Sequence, residues 1–367
     1  MPRKTVLHAL QKSAGAAFQE HQGWEVAETF TDPLEEVRSV RNQAAIFDLS
    51  HRGALHVSGS DRIRFLQGMV TNDVEALAPG QGCHAALLTP KGKVLADFWI
   101  YRQSEGVRIE VEVGLLTQLK EILEKHIIAD DVRLEDRTGS FATLSIQGPD
   151  SARIVRQMIP GELPTELLQS RERGEGDGRT LITRRSEYTA EEGFEIRLPS
   201  SAAGELWDRF LGTGIRPAGM AAMEILRIES GVPRAGIDMD ESTLALEASL
   251  NDAISHTKGC YIGQEFVARI RDRGQVRRRF TGFRLQGPFI PSAGDPVLRE
   301  ETAVGIVTSA AFSPTLNSSI ALGYLRRELV QEGERIVIRS GGETHPAVVT
   351  SLPFIHRHGP SPREGKD

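Results

Sequence analysis

Apolar positions in the first two thirds of the chain fall into a pattern that occurs twice. LHVSGSDRIRFLQGMV begins at Leu55, and LSIQGPDSARIVRQMI begins 89 residues later at Leu144. In the first copy Leu55 and Val57 alternate with polar neighbours as in a strand, Gly59 interrupts, and Ser60-Asp61 supplies N-cap chemistry. Ile63, Leu66, Met69 and Val70 then fall three or four apart, on one face of a helix. The second copy repeats each step with Leu144, Ile146, Gly148 and Asp150, followed by Ile154, Val155, Met158 and Ile159. A strand-turn-helix unit present twice predicts two duplicated α+β halves.

Other segments complete each half. VRIEVEV, from Val107, alternates as a one-sided strand, and LLTQLKEILEKHII, from Leu115, has the spacing of an amphipathic helix. GFEIRL sets Phe194, Ile196 and Leu198 against Glu195 and Arg197, and helical spacing returns near Leu206 and Phe210 and from Met220 to Ile228. After about residue 275 that periodicity stops. FTGFRLQG, AVGIVTSAA, SIALGYLRR, ERIVIRS and AVVTSLPF are short strand patterns separated by Gly, Pro, Ser and Asn, as in a small barrel or sandwich. The expected division is 1–140 and 141–274 for the halves, 275–356 for a β domain and 357–367 for a flexible tail.

Composition narrows the class. At 39% hydrophobic and 26% charged the chain is globular, and 36 glycines with 18 prolines mean many turns. Met1 to Lys4 is basic but no apolar run follows it, so no signal peptide is expected, and no stretch reaches the ~20 apolar residues of a membrane span. Two cysteines, Cys83 and Cys260, build no disulfide framework and fit a reducing, cytoplasmic setting. A net charge of −6 argues against a general nucleic-acid binder. The local exception is six arginines at 269, 271, 273, 277, 278 and 279. If strand-like, the first three share a face. They are either a solvated edge or a site for a polyanion, RNA or a polyglutamate tail.

Several side chains are candidates for chemistry. Asp97 lies in KVLADFWIY, apolar on both alternating faces, so its carboxylate must be paired, hydrogen-bonded or protonated. It is either a structural partner or aimed at a ligand amine. Glu195 sits on the polar face of its strand, which periodicity alone places in solvent; a carboxylate there also suits an amidine-like edge such as that of a pterin. Tyr188 is packing, or a ring for stacking. Arg227, in MEILRIESG, needs an anion, and Glu224 or Glu229 is the ordinary partner. GIDMDES reads as a solvated acidic turn, since it lacks the spacing of a calcium loop. No HExxH, GxxxxGK[ST] or GxGxxG occurs, so neither metal nor nucleotide is expected. KGCYIGQE places Cys260 between glycines and two residues from Lys258, as a small residue in a turn or a thiol whose pKa a neighbouring cation lowers.

Together FDLSHRGALHVSG, FLQGMVTNDV, YTAEEGFEI, LRIESGVPRAGIDMDE and KGCYIGQEFVARIRDRG resemble, over nearly the whole chain, the folate-binding superfamily of glycine-cleavage T-protein and the YgfZ proteins. The resemblance implies two ferredoxin-like halves and a C-terminal β-barrel lobe in a three-lobed ring around a tetrahydrofolate cavity. It implies Asp97 near the reacting folate amine, Glu195 as the pterin-binding acid, and Tyr188 and Arg227 lining the site. KGCYIGQE resembles the YgfZ signature. That branch implies a folate-dependent protein supporting iron–sulfur cluster assembly, and indirectly tRNA modification, with iron–sulfur proteins or assembly factors as partners and Cys260, beside Lys258, as the reactive or partner-facing group. One cysteine holds no cluster alone. YgfZ proteins often carry Asn where this chain has Asp97, which keeps an aminomethyltransferase open. An RNA-binding adaptor using Arg269 to Arg279 is the third alternative.

Overall fold

The computed structural model describes residues 1–174, 180–185 and 188–356, so the tail expected at 357–367 lies outside the described residues. A small sheet, Arg3–Lys4 (β1), Ala17–His21 (β2) and Trp24–Thr29 (β3), opens the chain around helix His8–Ser13 (α1). Pro33–Asn42 (α2) follows, with Asp32 accepting from the Leu34 amide as its N-cap and Pro33 in the first turn.

The first half runs Ala45–Asp48 (β4), Gly53–Ser58 (β5), Arg62–Met69 (α3), Gly82–Leu88 (β6), Val94–Gln103 (β7), Gly106–Val111 (β8), Val113–His126 (α4) and Arg133–Asp136 (β9). The second runs Phe141–Gln147 (β10), Ser151–Met158 (α5), Ser170–Arg173 (β11), Thr180–Arg184 (β12), Gly193–Pro199 (β13), Ala203–Leu211 (α6), Arg216–Pro217 (β14) and Met220–Glu229 (α7). Helices α3 and α5 stand in register with the 89-residue repeat. Their turns hold Gly59 and Gly148 at φ +100° and +129°, and a Cβ at either would meet a backbone carbonyl at 2.0 Å or 2.5 Å. Asp61 reaches the N-cap of α3, but its carboxylate accepts from the Asp131 amide (2.9 Å) instead of capping the helix.

Strand order is β6-β7-β8-β5-β9 in the first sheet and β11-β12-β13-β10-β4-β14 in the second. The repeat therefore includes a reciprocal exchange. Strand β4, which directly precedes β5, pairs with β10 of the other half, while β9, which directly precedes β10, pairs with β5.

Each sheet turns its apolar face to helices. Leu55, Val57, Phe98, Ile100, Val107 and Ile109 pack on α3 and α4, where Leu116, Leu119 and Leu123 share one face. In the second half Leu144, Ile146, Phe194 and Ile196 pack on α5 and α6. The polar faces of the two sheets meet each other, and here the expectation of one-sided strands fails: all six residues of β8 are buried, and Glu195 is 5% exposed. Alternation reports which face is polar, not whether that face is wet.

Beyond α7, residues 235–267 pack Ala245, Ala248, Ile254 and Tyr261 onto Ala86 and Leu88 of edge strand β6. Helix Gln264–Arg273 (α8) ends this segment, so Arg269, Arg271 and Arg273 are helical, and the two-residue spacing that would share a strand face turns Arg271 to the opposite side of the axis from Arg269. Arg278–Leu285 (β15), Pro296–Arg299 (β16), Thr302–Ser313 (β17), Ser318–Arg326 (β18), Arg335–Ser340 (β19) and Glu343–Thr350 (β20) close a barrel in the order β15-β18-β17-β16-β19-β20. The four-residue β16 has no counterpart among the five expected strands. Among the described residues no helix is long and apolar enough to cross a membrane.

Candidate functional site

The space between the sheets is built from β7, β8, β10, β12 and β13. On β7, residues 96, 98 and 100 enter the first core, so Asp97, Trp99 and Tyr101 face the second half. Asp97 is 6% exposed, and its Oδ2 stands 2.9 Å from His84 Nε2 on the adjacent strand. The His84 ring stacks on Trp99 with centroids 5.0 Å apart, and Trp99 lies 5.4 Å from the Tyr188 ring.

Tyr188 also carries the Arg52 guanidinium, 4.9 Å from the ring centroid. Arg52 Nη1 donates to Glu195 Oε1 (3.0 Å) and to Glu110 Oε1 (3.1 Å), joining a carboxylate of β13 to one of β8. Arg185 stands 3.5 Å from the same two carboxylates and donates to the Tyr101 hydroxyl, while Arg108 donates to Glu110 Oε2 at 2.6 Å. Burial works against the charge on Arg52, but Glu195, with Tyr188 and Glu110, outweighs it and holds the guanidinium above its ordinary pKa. Burial also opposes ionisation of Glu110; Arg185, Arg108 and Arg52 reverse that and keep it charged. Desolvation pushes the Tyr188 phenol up. Leu49, Arg52, Ser145, Gln147, Arg185, Tyr188, Glu195 and Met223 enclose a recess with ≈ 10 Å³ of free space, room for about one water.

A second charged group adjoins it. Glu112 lies just past β8, and burial of its carboxylate is outweighed by His21, Arg234, Arg52 and His51, which hold it down to about 2. Burial pushes neighbouring His51 down to about 3, with His21, Arg52 and Arg234 adding to it against Glu112. The folded protein therefore keeps His51 neutral, whereas the unfolded chain takes up a proton near pH 6.5, so stability falls as pH drops from about 6.5 toward 3. His51→Asn is expected to flatten the acid limb of a stability-versus-pH curve, measured by urea titration, by up to ~1.4 kcal/mol per pH unit between about pH 6.5 and 4.5. An unchanged slope there refutes this role for His51.

Asp97, Tyr188 and Glu195 are thus brought to one wall-to-wall cluster, and three other candidates lie elsewhere. Arg227 is 1% exposed and uses all five of its N–H donors on protein: Nε and Nη2 on Glu224, Nη1 on Val232 O (2.6 Å) and Asp238 (2.7 Å), and Nη2 on Ser309 (2.8 Å). Of its two expected partners Glu224 serves, while Glu229 binds Arg41. Asp238, expected in a solvated turn, is the buried counter-charge.

Lys258, expected to activate Cys260, turns its ammonium inward onto the carbonyls of Gln67, Val70 and Asn72 at 2.7, 2.7 and 2.9 Å, closing the C-terminal end of α3. Its burial pushes its pKa down to about 8. Cys260 is exposed on the segment over β6, and burial raises the half-buried Cys83 thiol to about 12. Among the described residues no cluster of His, Cys, Asp and Glu is arranged to hold a metal.

Arg52, Glu110, Arg185 and His84 escaped the sequence reading. The available signal was a charged face on both VRIEVEV and GFEIRL, which gains meaning once the duplicated sheets are set face to face.

Residues 7–258 match the GCVT N-terminal domain, and residues 278–356 match the glycine cleavage T-protein C-terminal barrel domain. The chain is 33% identical to an aminomethyltransferase of Rubrobacter xylanophilus over 364 residues, covering 99% of this chain and 97% of that one. It is 33% identical to an aminomethyltransferase of Picosynechococcus over 355 residues, 96% and 98% of the two chains. The crystal structure of glycine cleavage system aminomethyltransferase T from Bartonella henselae superposes with a TM-score of 0.90 at 27% identity, covering 97% of this chain and 99% of that one.

Proposed function

The chain belongs to the glycine cleavage T-protein family, whose aminomethyltransferases use tetrahydrofolate, and from that premise we propose that it is a tetrahydrofolate-dependent aminomethyltransferase. The observation that carries this is the junction of Asp97, through Trp99 and Tyr188, with the buried acid Glu195 in one inter-sheet space. The donor set fits a pterin. The edge now seated on Tyr188 and against Glu195 is a planar guanidinium, and the amino-pyrimidinone edge of a pterin offers the same kind of N–H donors. The fit requires Arg52 to withdraw, since the recess beside it admits little more than a water.

In this reading Glu195 accepts from the ring edge, Tyr188 supports its face, and Ser145 and Gln147 bound the recess. Asp97 faces the reacting amine, oriented by His84 through Oδ2, so that it holds or accepts a proton there while Trp99 excludes water. Bound tetrahydrofolate supplies the nitrogen nucleophiles that take up a one-carbon unit. The direct test is formation of methylene-tetrahydrofolate from an aminomethylated lipoyl carrier protein by the purified chain. No turnover, together with no tetrahydrofolate binding by calorimetry, refutes the proposal.

A second reading, the YgfZ-type role in maintaining iron–sulfur proteins, is favoured by one observation: Cys260 is exposed in KGCYIGQE, available to a partner. The two readings separate on Cys260→Ala. Transfer activity is expected to stay within about twofold of wild type, because the thiol stands outside the inter-sheet space. Retained activity with loss of iron–sulfur enzyme activity in a strain carrying the variant supports a second role; full activity of both excludes it.

A further inference from the structure

Arg52 occupies the position a ligand's donor edge would take. Its guanidinium lies over Tyr188 and donates to Glu195, and its side chain is 8% exposed. A guanidinium does not shed its proton, so wherever it moves it needs an anion. One stands ready. Arg108, Glu110 and Glu112 follow each other at alternate positions; Arg52 already holds Glu110, and its field already acts on the charged Glu112. Glu112 accepts no arginine hydrogen bond among the described residues, and the ring nitrogen His21 Nε2 stands 3.7 Å from its carboxylate.

We propose that Arg52 is an internal plug of the inter-sheet recess, holding Glu195 in place of a ligand's amidine-like edge and moving along the Glu110–Glu112 row when a ligand is admitted. This rests on the tetrahydrofolate reading above and adds its gate. Arg185, 3.5 Å from Glu195, stays beside that carboxylate when Arg52 leaves, so a guanidinium still faces the acceptor as its new partner arrives. The plug also selects: a molecule that fills the recess without planar N–H donors displaces Arg52 and returns nothing to Glu195. The open state is a fraction of the population, and measured affinity is reduced by that fraction.

The test is calorimetric titration of the full chain with tetrahydrofolate under reducing conditions, with folding of each variant checked by circular dichroism. Arg52→Met removes the plug and is expected to lower Kd by about tenfold, the worth of one charge-assisted hydrogen bond no longer surrendered. Glu112→Gln removes the landing site without touching the recess and is expected to raise Kd about threefold to tenfold. Wild-type binding with no gain in Arg52→Met overturns the plug alone. If Arg52→Met does not fold, Glu112→Gln decides, and an unchanged Kd overturns the proposal. Absence of binding in wild type and both variants overturns the tetrahydrofolate reading, and the plug with it.

Discussion

Asparagine at position 97 is expected to lower the rate of methylene-tetrahydrofolate formation by roughly 10²- to 10⁴-fold, the usual worth of a positioned acid or base. Asn preserves the size of the side chain and the acceptor facing His84 Nε2, so the loss reports the charge and proton capacity of the carboxylate rather than its packing. Asp97 on β7 pairs with Ala86 of β6, and β8 joins β7 from the next residue, Phe98, which fixes its direction. Tetrahydrofolate affinity is expected to change less, within about fivefold, because ring recognition is assigned to Glu195 and Tyr188. The measurement is kcat and Kd side by side for wild type and Asp97→Asn. A fall in kcat below tenfold would remove Asp97 from the chemistry, and an equal loss in affinity and rate would make it a binding group only.

Arg227→Met is the largest expected loss of stability, about 3–5 kcal/mol. The substitution leaves Asp238, itself fully buried, facing Thr308, Ser309 and the Arg234 amide with no guanidinium to balance its charge. It also releases Val232 O and Ser309 Oγ, which tie α7 and the loop after it to β17 of the barrel. Adding Asp238→Asn removes the stranded charge, so the double variant is expected to recover at least about 1 kcal/mol relative to the sum of the single changes. Urea titrations of the four proteins check both figures. Tetrahydrofolate affinity of the folded Arg227→Met protein is expected to hold within about threefold, since every donor of Arg227 is committed to protein; a loss beyond tenfold would return Arg227 to the ligand site.

The duplicated plan was legible because a strand-turn-helix unit writes itself into local periodicity, and Gly59 and Gly148 mark the same tight turn in both copies. The barrel was legible from strand-length apolar runs, short of one: PVLR is too brief to register. Asp97 was legible as a carboxylate in an apolar strand. The charged layer was not. Arg52 and Glu195 are 143 residues apart, and their pairing depends on two sheets meeting polar face to polar face, which no window along the chain contains. The same blindness placed Glu195 and Asp238 in water. Lys258 misled by proximity: two residues along the chain from Cys260, its ammonium points to a helix end instead.

Strands β4 and β9 give the two halves a shared fate. By the repeat, β4 belongs with β5 and β9 with β10, yet each pairs in the other copy's sheet, closing loops of roughly a hundred residues from β4 to β10 and roughly eighty from β5 to β9. Pairings so distant form late and slowly, after the entropy of both loops has been surrendered. Once formed, they leave no seam along which one half can open while the other stays shut. The buried amides of β4 should therefore exchange hydrogen only through unfolding of both halves, while those of β9, an exposed edge strand, also open locally, so that β4 reports the duplicated region as a single cooperative unit despite its being built from two copies.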